Sequence, residues 1–344
     1  MMEENRTPEF DEEKPEEELP EILANGELSV QLPFKKVADT NEIISGWQSE
    51  WNEGFEDHQR NIEDWRFRTK FFLPENQMAL IFGLIDEIYD GKPVTVSHRL
   101  FRYRVLIYDL DSMEITKKYA FQGQDMEVKT VIQTPDGISA VIRNLNGEFT
   151  VLPMIPTNDE GQFTLYKNVN DVIELPNGFL AVSYCHNDLD DSHVPVGIYN
   201  PEGTIVNGLK ESEDMECTAI AVDNNGYVWA HMMPSGKTVR IGEEDETFSS
   251  IYQGFDYFGF STDNRLMAVS WQRGPCENRI YLMYRKGNRY EGFGKMDFSN
   301  LPGEKNPTDC SCFGYPIFQG SRFAFNKEGV IYLFDLDRAA DIWK

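Results

Sequence analysis

The chain has 344 residues, with 58 Asp and Glu against 32 Lys and Arg, and a formal charge of −26. An aromatic content of 13% excludes a wholly disordered chain. The acidic excess argues against nucleic acid or an anionic membrane as the main partner, because both need a basic face. The length allows one large all-β domain or two smaller ones.

Residues 1–24 hold ten acids and two bases, with few large apolar side chains. They are predicted to form a disordered acidic tail ahead of a folded body over 25–344. This start has neither the basic opening nor the apolar stretch of a secretory signal. The longest apolar run, from Met78 to Ile85, is far below the roughly 20 residues that cross a bilayer. The five cysteines, Cys185, Cys217, Cys276, Cys310 and Cys312, are odd in number and irregular in spacing, which suggests reduced thiols. Together these features predict a cytoplasmic protein, taken as a monomer.

Residues 26–37 alternate apolar and polar well enough for a strand. In 41–63, Trp47, Trp51 and Phe55 have the i, i+4, i+8 spacing of a helix. An irregular link anchored by aromatics fits that segment equally well.

The body then repeats a local pattern in which a short strand-like run leads into a turn and a second apolar run. The turns are Leu73-Pro74-Glu75-Asn76, Thr134-Pro135-Asp136-Gly137, Leu175-Pro176-Asn177-Gly178, Asp223-Asn224-Asn225-Gly226, Ser261-Thr262-Asp263-Asn264 and Asn326-Lys327-Glu328-Gly329. Each ends in Asn or Gly, which enter the left-handed region at least cost. The runs that follow start at Met78, Ile138, Phe179, Tyr227, Leu266 and Val330. They are short, β-branched or aromatic, and read as buried strands. The turn ends recur at 61, 41, 48, 38 and 65 residues, close to the length of a β-propeller blade with two insertions. Further hairpins fall between them at 105–111, 197–203 and 279–287, so each repeat has four strands. The expectation is a single all-β propeller of six four-stranded blades. The last repeat is short, and residues 26–37 are predicted to close it, because an unpaired sheet edge invites association.

The stretch Ile107-Tyr108-Asp109-Leu110-Asp111, and Ala221 to Trp229, resemble blades of the NHL, SMP-30/gluconolactonase and WD40-type propellers. The resemblance spans about 64–344 and concerns blade pattern. The Gly-His and Trp-Asp pairs of a complete WD40 signature are absent. An SMP-30-like reading implies a hydrolase or lyase with a central divalent metal held by acidic and amide side chains from separate blades. Asp171, Asn177, Asp223, Asp263 and Asn264 lie near blade starts or turns, where most are accounted for as turn formers.

Few constellations carry chemistry. In the loop His186 to His193, the carboxylates Asp188, Asp190 and Asp191 suit a hard cation, and His186 and His193 a transition metal. The spacing matches no established metal loop, and a solvated acidic loop is the plainer reading. Cys310 and Cys312 would share one face of a strand, with Cys276 a remote third ligand; ordinary thiols are favoured. No nucleophile elbow and no phosphate-binding glycine loop occurs. Of the five histidines, His231 is expected at a strand end with its bonding satisfied.

Charge location says more. Residues 186–246 carry thirteen acids against Lys210, Lys237 and Arg240. Candidate partner-binding residues are Asp188, Asp190, Asp191, Glu211, Glu213, Asp214, Glu216, Glu243, Glu244, Asp245 and Glu246. Propeller loops gather on two faces, so these runs are predicted to form one acidic face for a basic protein partner. General solubility charge is the plainer alternative. The expected function is a non-enzymatic protein-binding propeller without a cofactor, in its specific form an inhibitor or immunity-type protein. The alternatives are the metal-dependent enzyme and a propeller that senses a small ligand in its central funnel.

Overall fold

The computed structural model describes residues 28–46, 65–89, 96–134, 137–144, 146–153, 163–165, 169–184, 194–209, 216–242, 247–250, 255–272, 278–287, 289–302 and 313–343. They form six four-stranded antiparallel blades arranged as a β-propeller.

Ahead of the blades come β1 (Leu28–Val30), β2 (Phe34–Asp39) and helix α1 (Thr40–Gly46). Blade 1 is β3 (Arg66–Leu73), β4 (Gln77–Tyr89), β5 (Val96–Asp109) and β6 (Glu114–Gln124). Blade 2 is β7 (Glu127–Thr134), β8 (Gly137–Arg143), β9 (Phe149–Pro153) and β10 (Phe163–Leu165). Blade 3 is β11 (Val169–Glu174), β12 (Leu180–Tyr184), β13 (Val196–Tyr199) and β14 (Ile205–Gly208). Blade 4 is β15 (Glu216–Val222), β16 (Val228–Met233), β17 (Lys237–Arg240) and β18 (Thr247–Ser250). Blade 5 is β19 (Tyr257–Phe260), β20 (Leu266–Gln272), β21 (Asn278–Lys286) and β22 (Arg289–Met296). Blade 6 takes β23 (Phe313–Gln319), β24 (Arg322–Lys327) and β25 (Val330–Asp335) from the C-terminal end.

The fourth strand of blade 6 is β2, antiparallel to β25 with Phe34 opposite Phe334 and Asp39 opposite Val330. The expected N-terminal closure is therefore present. β1 adds a second tie that the sequence did not suggest: it runs parallel to β22, with Leu28 opposite Gly294. The outer strands of blades 4 and 5 also meet, β18 running parallel to β22. The first strands of the six blades neighbour one another in a closed ring.

The second strands carry short apolar runs because both of their sides are covered. In β4, Met78, Leu80, Phe82 and Leu84 pack toward blade 6, whereas Ala79 and Ile81 pack toward blade 2. Period-two alternation thus feeds two cores at once. Six clusters of buried side chains fill the six spaces between blades. In the 5–6 space, Val30 and Leu32 from the N-terminal segment join Leu282, Phe323 and Phe334.

The turn chemistry holds at five of the six predicted turn ends, where Asn76, Gly178, Gly226, Asn264 and Gly329 have φ between 55° and 83°. One assignment of phase is corrected. The first five turns join first and second strands, but Asn326–Gly329 joins β24 to β25, the second and third strands of blade 6. The equivalent turn in that blade is at Gly320, with φ 55°. Any tight hairpin turn favours the same residues, so turn composition does not say which hairpin it closes. In 41–63 the helix α1 reaches only Gly46; Trp47, Trp51 and Phe55 lie outside the described residues.

Candidate functional site

Antiparallel order divides the connections between two faces. Turns from first to second strand, and from third to fourth, lie on one face, here the turn face. Connections from second to third strand, and from blade to blade, lie on the other, the crossover face.

The acidic runs distribute accordingly. Of the eleven candidate residues only Glu216 is among those described: it opens β15, is exposed, and pairs in register with Met233. Asp188, Asp190, Asp191, Glu211, Glu213, Asp214 and Glu243 to Glu246 lie outside the described residues, as do His186 and His193. The strand ends flanking them are described. β12 ends and β13 begins at the crossover face, as do the end of β14 and the start of β15. β17 ends and β18 begins at the turn face. One strand more or less between two segments moves a run to the opposite side of the disc.

At the crossover end of the ring, five of the six innermost strands carry a β-bulge near their start. Bulges leave one residue without a cross-strand partner and re-aim its side chain. In the first four blades that residue is Arg68, Lys129, Asn170 or Thr218. Each reaches toward the next blade. The Asn170 amide donates to the carbonyls of Cys217 and Thr218, at 3.1 and 3.0 Å. The Thr218 hydroxyl donates to the Phe255 carbonyl at 3.2 Å. Arg68 lies over Gly83, where a Cβ would sit 3.1 Å from its Cγ, and within electrostatic reach of Glu127 on β7. Lys129 stands close enough to Asp171 on β11 to oppose the rise in its pKa. Amides displaced near the bulges find side-chain acceptors: Val128 N–H donates to Tyr103 Oη at 3.2 Å, and Asp171 N–H to Ser183 Oγ at 3.0 Å.

Three ionisable groups of this ring are perturbed, and burial lowers the Arg68 guanidinium from its ordinary value. Burial lowers the Lys70 ammonium to about 7. Burial raises the Asp171 carboxyl to about 6, against the pull of Lys129 and the Val172 amide.

The residues weighed for a central metal are mostly engaged in turns. Asp223 accepts from the amides of Asn225 and Tyr227 through Oδ1, and from Trp229 Nε1 through Oδ2 at 3.0 Å. Asp263 accepts from Ser261 Oγ and from the amide and Nε of Arg265. Asn177 accepts from the Phe179 amide. Asn264 donates to Asp223 from a left-handed turn position. Asp171 differs, lying within β11 beside the bulge. Among the described residues, no three His, Cys, Asp or Glu side chains gather as a metal group would require. His231 sits inside β16 rather than at its end, fully buried, with Nδ1 3.1 Å from Thr238 Oγ1 and its ring stacked on Phe255. Cys217 is buried with Sγ 3.3 Å from the Ala219 carbonyl; the other four cysteines lie outside the described residues. No helix among the described residues is long and apolar enough to cross a membrane.

No protein-family model matches the chain, and no curated protein matches it. Among solved structures, the β-propeller domain of Cps50 (Swd1) from Myceliophteria thermophila is similar at 11% identity with a TM-score of 0.40. The match covers 78% of this chain and 96% of that one.

Proposed function

We propose that the chain is a non-enzymatic propeller that binds a basic protein through an acidic sector of its crossover face. One observation carries this reading. The strand ends that flank 185–193 and 210–215 belong to blade 3 and its junction with blade 4, on one side of the disc. The proposal therefore takes Asp188, Asp190, Asp191, Glu211, Glu213, Asp214 and Glu216 as the binding sector and leaves Glu243, Glu244, Asp245 and Glu246 out of it. A sector of one sign speeds encounter with a basic surface and rejects acidic ones. The specific form of the proposal is an inhibitor or immunity-type protein that occupies a basic partner.

The test compares two sets of acid-to-amide variants in binding kinetics with partners captured from the source cells. Neutralising the seven crossover-face acids should slow association roughly tenfold or more at low salt. Neutralising Glu243 to Glu246 should leave it nearly unchanged. Salt-insensitive association, or equal effects of the two sets, overturns the reading.

A further inference from the structure

The outer corner of blade 5 on the turn face is basic, in a chain of charge −26. The hairpin from Tyr284 to Glu291 carries Arg285, Lys286 and Arg289, all exposed, against one carboxylate, half-buried Glu291. Lys286 and Arg289 are direct cross-strand partners. Like charges so placed repel, and a hairpin that carries them gains from an anion covering both. No carboxylate among the described residues pairs with either cation. Arg285 stands opposite Tyr290 on the other side of the sheet, and its amide donates to the Arg265 carbonyl at 2.8 Å. Exposed Arg265 is itself committed to Asp263 at 2.7 Å.

The path of the N-terminal chain leads to the same corner. β1 runs parallel to β22, with Leu28 opposite Gly294 and Val30 opposite Met296. Traced backward from Leu28, a chain that keeps its direction heads for the start of β22, where Arg289 stands. Five residues of strand separate Arg289 from Gly294, about 17 Å. Residues 1–27 lie outside the described residues; their sequence has Glu27, Glu21 and the run Glu16-Glu17-Glu18. Glu21 comes seven residues before Leu28, an extended reach of about 23 Å, so the segment is long enough to span the gap. β18 already pairs with β22 at Arg289 and Tyr290, which leaves side chains rather than backbone for the contact.

We infer that the chain's own acidic segment, residues 1–24, docks on this hairpin through ion pairs from its carboxylates to Arg285, Lys286 and Arg289. The segment holds ten acids and two bases, so its charge is opposite to that of the hairpin. A short tether gives it an effective concentration of roughly millimolar there, ahead of a free anion present at lower concentration. Each exposed ion pair is weak and screened by salt, so the contact opens and closes readily. Docked, the segment shields the hairpin from other polyanions. This surface lies on the turn face and uses no residue of the crossover-face sector, so the inference stands or falls apart from that reading.

The experiment uses the full chain and a carbodiimide, which joins carboxylates directly to lysine amines, with the links read by peptide mass spectrometry. Segment 1–24 should link to Lys286 at low salt, and far less to Lys117 and Lys118, exposed on the outer strand of blade 1. Lys295, opposite Ser29, reports what tethering alone produces. Arg285→Gln with Arg289→Gln keeps Lys286 as the reporter. That variant should lower the Lys286 link roughly tenfold and spare the Lys295 link. At about 1 M salt the screening length is about 3 Å, and the same loss should follow. These cations are exposed, so the fold tolerates the substitutions. A second arm measures binding of a ten-residue glutamate peptide to the full chain. Glu16→Gln, Glu17→Gln, Glu18→Gln and Glu21→Gln together should tighten that binding roughly tenfold by uncovering the hairpin. Adding Arg285→Gln and Arg289→Gln should remove the gain. Lys286 links that ignore both salt and the arginine substitutions, or that form only between differently isotope-labelled copies, overturn the inference. Failure of the peptide to bind the glutamine variant more tightly than the parent overturns the choice of occupant.

Discussion

Truncation from the N-terminus should destabilise the propeller in steps set by what each segment buries. The deletion of residues 1–27 is the reference from which the steps are measured. Deleting 1–33 also removes β1 and the link that follows, taking Val30 and Leu32 out of the core between blades 5 and 6; they are 2% and 1% exposed. Fully burying a valine or leucine is worth about 1.5–3 kcal/mol, so this step should cost about 3–6 kcal/mol as an upper bound. For a chain of this size that corresponds to roughly 5–15 °C. Deleting 1–40 further removes β2, with buried Val37 and Ala38, the ladder to β25, and the bond from Thr40 to the Gly329 carbonyl. Another 2–4 kcal/mol or so should be lost, which brings the total close to the whole stability of an ordinary domain. Differential scanning calorimetry of the three truncations reads these steps. A 1–40 deletion that melts with the 1–27 deletion would refute the closure argument outright.

Two further expectations concern the ring. Lys70 has a folded pKa of about 7, lowered by burial, so the unfolded chain binds more protons between pH 7 and about 10.5 and stability should rise across that window. Lys70→Met should stabilise the protein near pH 7 and abolish that rise; denaturant midpoints measured from pH 6 to 10, as a rough range, check both signs. Asp171 has a folded pKa of about 6, raised by burial, so stability should fall as pH climbs from about 4 to 6. Asp171→Asn should flatten that fall and gain roughly 1 kcal/mol at neutral pH, the full shift being discounted because the residue is partly exposed. A variant that melts in parallel with the parent across this window would contradict the assignment.

Much of the fold was legible because second strands are buried on both sides. Met78 to Phe82 and Leu180 to Val182 are unbroken apolar runs, and their turns end in residues that accept positive φ. Blade 6 was misphased because Gln319-Gly320-Ser321 lacks the Pro, Asn and Asp of its counterparts, while Asn326–Gly329 has their look. β1 was illegible as a blade strand: it is three residues long, and its partner Gly294 lies 266 residues away. At the candidate site the acidic runs are plain in the sequence, but their distribution depends on strand parity, which composition does not carry. The bulges at Arg68, Lys129, Asn170 and Thr218 have no signature of their own, and only the register of the ladders reveals them.

Those bulges give the ring an uneven resistance to its surroundings. Between blades 1 and 3 the neighbouring inner strands face each other through charges, Arg68 toward Glu127 and Lys129 toward Asp171. Between blades 3 and 5 they are held by the neutral amide of Asn170 and the hydroxyl of Thr218. Ionic strength screens the first kind of contact and hardly touches the second. Added salt should therefore weaken the polar contacts at the first two seams and leave those at the next two unchanged, while the apolar clusters hold all four together.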